Sequence, residues 1–321
     1  TGSVWSADAI DWHMLRALKG NIEFKSGLLT LGPLAMKDAE GTIGMADGVM
    51  NVSPLVGDLA GGRASMNVRF HAGGDEPGAL EKQVEFTGLV EVADLARLSE
   101  QAFGASPGEG RATVNLHIAA KGLSWLSLVG SASGEGQIRL EDTVLHPLDV
   151  DGFGKALGRL EDIEAFDGVV KNVLLAGDTS TGDIAGPFTL KDGVASFKDD
   201  EVALQGGKGK LAAFYDLSRL GADAELTVTG DQPAGSPAYS VNAAGPHGGI
   251  AVSTDTARLE SHVSSLILAG QAEKLGVDLP ADIRNMITPP SSKSPTDPKE
   301  PANDNETGAA TAPVPVVRPS N

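Results

Sequence analysis

The sequence predicts a mainly β protein: a long, strongly curved, mostly antiparallel sheet with a few short helices and a disordered C-terminal tail. Three observations carry this. Apolar and polar residues alternate with period two along much of the chain, glycine supplies 41 of its 321 residues, and the composition changes abruptly after about Thr288. Period-two alternation marks a strand with one apolar face and one wet face. Glycine at nearly twice its usual share of about 7%, without a collagen triplet, points to bulges, bends and close backbone approach within the sheet.

From the N-terminus, "SADAIDWHMLRALKG" places Ile10, Leu15 and Leu18 at helical spacing, with Ser6 as cap and Gly20 as stop. From about residue 20 to 255 the chain reads as strands and tight turns such as Asp47-Gly48 and Asp192-Gly193. The clearest strand alternates Ala64, Met66, Val68 and Phe70 with Ser65, Asn67 and Arg69. Val84 and Phe86 do the same in "VEFT", as do Val114, Leu116 and Ile118 in "ATVNLHI", Ile138 and Leu140 in "QIRL", and Leu226 and Val228 in "ELTVT". Helical patches interrupt them at 91–104, 148–160 and 257–275. Three or four such patches cannot blanket a sheet of more than a dozen strands.

An internal echo accompanies the alternation. Shifting residues 38–70 by 145 lays Asp38 on Asp183, Gly41 on Gly186, Asp47-Gly48-Val49 on Asp192-Gly193-Val194, Leu59 on Leu204 and Gly61-Gly62 on Gly206-Gly207. Phe70 falls on Tyr215 without a gap. Residues 1–287 therefore read as one β region containing a repeat, 38–70 and 183–215. Residues 288–321 are a proline-rich tail with too little apolar area to offset ordering entropy.

Composition narrows the chemistry. With 25 basic and 43 acidic residues the net charge is −18, a field that repels a phosphate backbone, so nucleic acid is not an expected partner. Cysteine is absent, which removes disulfides, thiolate metal sites and cysteine nucleophiles. No apolar run reaches the roughly 18 residues that span a bilayer. The six histidines, His13, His71, His117, His146, His247 and His262, have no partner at metal-ligand spacing; His117 falls on the polar face of its strand.

Near-motifs also fail. "GSASG" centres on Ala132 where a nucleophile elbow needs serine, and "GGKGKL" lacks the hydroxyl and upstream glycine of a phosphate loop. "GFGKALG" does not open a βαβ unit. "DVDGFG" brings its glycine too early for a calcium loop. Asp199-Asp200 and Glu161-Asp162 read as solvated turn and helix-start residues. No catalytic, cofactor or metal site is expected, and the chain is not expected to be an enzyme.

"ATVNLHIAAKG", "LSWLSLVG", "SASGEGQIRLED" and "TVLHPLDVDGFGKAL", in that order over 108–157, resemble the C-terminal region of the AsmA-like family of Gram-negative envelope proteins. The flanks 18–70 and 166–217 are similar to the neighbouring family segments, while Thr143 stands where the family usually has glycine and Pro147 stands near its second glycine. The resemblance implies a periplasmic protein, tethered to the inner membrane by an N-terminal helix outside this fragment and tied to outer-membrane biogenesis. It also implies that the curved sheet forms an apolar groove for phospholipid acyl chains. The groove would be lined by Met66, Val68, Phe70, Val84, Phe86, Val114, Leu116, Ile118, Ile138, Leu140, Leu226 and Val228. Outer-membrane assembly proteins are a further expected partner. The residues by themselves leave two architectures open: that groove, and two sheets closed on each other as a dry sandwich serving as a scaffold.

Overall fold

Alternation along the chain becomes a single meander in space. The structure, a computed structural model, describes residues 5–11, 13–73 and 82–275. The tail expected to be disordered lies outside them. Seven strands run in sequence order, β1 (Gly20–Leu31), β2 (Leu34–Ala46), β3 (Val49–Leu59), β4 (Gly62–His71), β5 (Lys82–Val92), β6 (Gly108–Gly122) and β7 (Ser133–Leu145). The short β8 (Thr179–Ser180) pairs with the end of β7. The meander resumes with β9 (Ile184–Lys191), β10 (Val194–Leu204), β11 (Gly207–Asp216), β12 (Gly221–Gly230), β13 (Tyr239–Pro246) and β14 (Ala251–Asp255). All belong to one antiparallel sheet whose edges are β1 and β14. The protein is mainly β, with a sheet that does not close on itself by strand pairing.

Helices sit at the strand ends: α1 (His13–Ala17), α2 (Leu95–Phe103), α3 (Trp125–Ser131), α4 (Val150–Leu157), α5 (Phe166–Val169) and α6 (Ala257–Leu275). A 3₁₀ turn precedes α5 and a π turn, Val170–Leu174, follows it. The "DVDGFG" stretch is a helix start, with Asp149 accepting from the Gly152 N–H at 2.6 Å. Asp162 caps the 3₁₀ turn in the same way, accepting from the Glu164 N–H.

The N-terminal helix expected over 6–20 is mostly absent. Only His13–Ala17 is helical, Ala9 instead makes an antiparallel bridge to Ser124, and Gly20, expected to stop the helix, opens β1. Five residues are too few for a self-supporting helix, and the backbone of Ile10 is taken by Leu123, whose carbonyl accepts its N–H at 2.8 Å.

The 145-residue offset is a structural one as well. Val49–Leu59 displaced by 145 is Val194–Leu204, and Gly62–His71 becomes Gly207–Asp216. Registers coincide too: Val49 pairs with Ala46 and His71, Val194 with Lys191 and Asp216. Both middle strands carry one bulge. At the Asp47-Gly48 and Asp192-Gly193 turns all four residues have positive φ, between 49° and 80°, the requirement of a type I′ hairpin.

Two buried clusters lie on the sheet's apolar face. One gathers Met36, Leu55, Leu59, Ala64, Met66, Val90, Val92 and Ala112, with Leu95 and Leu98 of α2 against it. The other gathers Phe153 and Leu157 of α4, Phe166, Val170 and Leu174, strand residues Ile184, Val202, Leu204, Leu226, Val228 and Val241, and Leu259 and Val263 of α6. Leu140 packs against both. The curl of the sheet brings together elements remote in strand order, as where the Tyr215 hydroxyl of β11 donates to the Ala102 carbonyl of α2, which follows β5, at 3.0 Å.

Candidate binding face

Strand register assembles the expected groove residues into rows that run across the sheet. Near one end of the strands, Met45, Met50, Phe70, Val84 and Ala120 are successive cross-strand neighbours. The next row is Ile22, Ile43, Val52, Val68, Phe86 and Ile118. A third passes from Leu55 through Met66, Gly88, Leu116 and Gly136 to Phe188. A fourth joins Ala64, Val90, Val114 and Ile138, and a fifth joins Val92, Ala112, Leu140 and Ile184. Gly136 leaves space for a neighbour: a Cβ there would lie 2.5 Å from the Phe188 ring.

Burial is graded from row to row, along the strands. Ala64, Val90, Val92, Ala112 and Ile184 are sealed beneath the helix-covered clusters. Val68, Phe70, Val84, Phe86, Val114, Leu116, Ile118, Ile138 and Leu140 are half-buried. Ile22, at the open edge of the second row, is 51% exposed. Three expected groove residues need correction. Val228 is 0% exposed and Leu226 8%, both inside the cluster that α4 and α6 cover, and Met66 is 9% exposed within the other. They have little surface to offer a ligand, because α4 and α6 pack over Leu226 and Val228 and the strand residues of its own cluster enclose Met66.

The opposite face is solvent-exposed and mostly polar, with Leu89 and Phe214 among its exposed apolar exceptions. Ser65, Asn67, Arg69, Glu85, Thr87, Asn115, His117 and Glu135 are exposed. Arg69 donates from Nε to Asn51 at 3.0 Å and stands 3.8 Å from Glu85. At the sheet edge Lys25 and Glu40 pair at 2.9 Å; the hydrogen bond raises the lysine's pKa and lowers the carboxylate's. Two open depressions of about 560 and 430 Å³ lie at strand ends and are lined mainly by charged and small residues, among them Arg111 with Asp142 and Arg63 with Asp58. Neither coincides with the half-buried apolar rows.

The near-motif serines serve the backbone. Ser131 Oγ donates to the Lys121 carbonyl at 2.5 Å and accepts from the Lys121 N–H at 2.8 Å, and Ser133 Oγ donates to Ser131. His146 faces Asp178 through Nδ1 at 2.5 Å and Glu109 through Nε2 at 3.7 Å, a grouping the spacing of histidines did not disclose. Among the described residues no three His, Asp or Glu side chains cluster as metal ligands. No described helix is long and apolar enough to cross a membrane. A comparison with known protein families, curated proteins and solved structures returns no match.

Proposed function

We propose that this chain is a non-enzymatic lipid-handling domain whose half-buried apolar rows shelter or conduct phospholipid acyl chains. The observation that carries the reading is the contrast within one face. At one end of the strands the rows are sealed beneath helix-covered clusters, whereas in the second row Ile22, Val52, Val68, Phe86 and Ile118 keep part of their apolar surface accessible. Each methylene that such a surface removes from water contributes about 0.8 kcal/mol, so a chain can be held without a head-group motif. Movement along the rows is passive, since no nucleotide-binding sequence is present to drive it. On the resemblance to the AsmA-like family, the domain works in the periplasm, anchored to the inner membrane, in support of outer-membrane biogenesis.

Photo-crosslinkers at Val68 and Leu116, compared with Asn67 and Asn115, test this. Lipid captured in cells from the first pair and not the second is the expected result, matched by lipid retained through purification and seen by native mass spectrometry. The sealed cluster around Val228 favours a second reading, a scaffold for assembly proteins with a dry interior. Equal labelling of both faces, or labelling of neither, selects it.

A further inference from the structure

Resting on the lipid reading, we infer that the extended segment Trp5–Ile10 is a removable strap that gates entry to the apolar face. The sheet's edge strands do not pair with each other, so its curl is braced by other groups. Trp5 is one brace. Its indole N–H donates to the Leu217 carbonyl at 2.7 Å, in the turn between β11 and β12. Its ring also lies against Gly32, at the tip of the β1–β2 hairpin, where an added Cβ would come within 2.9 Å of it. One side chain thus wedges between residues 32 and 217, from opposite halves of the sheet.

The rest of the strap crosses α3 and the neighbouring strand ends. The Leu126 N–H donates to the Ser6 carbonyl at 3.1 Å, Ala9 bridges Ser124, the Ile10 N–H donates to the Leu123 carbonyl at 2.8 Å, and Lys82 Nζ donates to the Ile10 carbonyl. Ser6, Ala7, Asp8 and Ala9 are exposed. A segment none of whose residues is fully buried opens locally at low cost compared with strands that contribute to the core. Its release withdraws the Trp5 wedge while the α2 contacts to β11 and to the β13–β14 turn stay in place, and the separation of hairpin tip and turn that follows is what admits a fatty tail in this proposal.

The full chain with Ala9→Cys and Ser124→Cys tests the gate. The Ile10-to-Leu123 bond makes residues 9 and 124 a non-hydrogen-bonded antiparallel pair, whose Cα atoms lie about 4.5 Å apart, inside the disulfide range of about 4.4–6.8 Å. The native chain has no cysteine to compete. The readout is exchange of a pyrene-labelled sixteen-carbon fatty acid into phosphatidylethanolamine vesicles. Oxidation is expected to slow exchange at least tenfold, and dithiothreitol to restore it in the same sample, which cancels any cost of losing the Ser124 cap. Trp5→Ala is expected to speed exchange several-fold. Equal rates in the oxidised and reduced forms, with probe bound in both, overturn the strap and leave the lipid reading standing. Failure of the disulfide to form overturns the strap, and no probe binding in the reduced form overturns both.

Discussion

Tyr215 and Phe103, 112 residues apart, meet edge to face with ring centroids 5.0 Å apart and planes at 79°. This contact, with the Tyr215 hydroxyl on the Ala102 carbonyl and the Gly248 N–H on the Phe103 carbonyl at 2.7 Å, ties α2 to β11 and to the β13–β14 turn. Tyr215→Phe keeps the ring pair and removes one hydrogen bond, so a loss of about 1 kcal/mol is expected. Tyr215→Ala removes both and costs roughly 1 kcal/mol more for the aromatic pair, in addition to lost burial. Urea midpoints check both, the slope remaining unchanged for the first.

Alkaline pH acts on the same residue and on Tyr239, the chain's two tyrosines. Burial, then the nearby carboxylates Asp216 and Asp149 respectively, raise both pKa values. A raised folded-state pKa gives stability that is complete below the unfolded value, about 10 for tyrosine, and is lost as pH rises from there toward the folded value. Unfolding midpoints are therefore expected to fall above about pH 10. The Tyr239 hydroxyl is also buried without a hydrogen-bond partner, which costs about 1–3 kcal/mol. Tyr239→Phe should accordingly hold or raise stability at pH 7 and lessen the alkaline loss; a marked drop at pH 7 refutes the assignment.

How much of this was legible from residues alone varies with the range of the interactions that decide each element. The alternation at 64–70 becomes β4, and the helical spacing at 257–275 becomes α6 with the same bounds, because local pattern and burial agree there. Trp125–Ser131 was hidden. It is a seven-residue helix set by the reciprocal Ser124–Ser127 capping box rather than by an apolar stripe. The turns from Ile163 to Leu174 are rich in β-branched residues and depend on Phe166 and Leu174 packing into the core. On the candidate face, strand parity identified the apolar side correctly. It could not separate Val68 from Val228, since which part of the apolar face is covered depends on helices far away in sequence.

The repeated turns offer a matched comparison. Gly48 and Gly193 have nearly the same φ, 80° and 77°, so an alanine at either carries a left-handed backbone cost of about 1–2 kcal/mol. Their surroundings differ. A Cβ at Gly48 finds its nearest neighbour at 3.6 Å, on the flexible Arg16 side chain, whereas at Gly193 it meets the Val129 carbonyl oxygen of α3 at 2.7 Å. Gly193→Ala is therefore expected to be clearly the more destabilising, by at least another 1 kcal/mol. Equal losses would mean that α3 yields to the turn.

Stability and lipid capture should separate along the rows. Phe153 is 1% exposed at the centre of the α4 cluster, edge-on to Tyr239 at 5.4 Å, and Phe153→Ala falls in the range of about 3–5 kcal/mol for an emptied aromatic site. Val228→Ser inserts a hydroxyl into the same closed environment and is expected to cost at least about 2 kcal/mol, through lost burial and an unsatisfied polar group. Phe86 and Val68 are half-buried neighbours in the second row, so Phe86→Ser and Val68→Ser forfeit less protein contact and should be the milder changes in a urea titration. If acyl chains occupy that row, these two variants lose bound lipid in native mass spectra while remaining folded. Val228→Ser, measured where it is still folded, retains it. The reverse ranking would place the ligand under the helices, where the packed cluster leaves it no path.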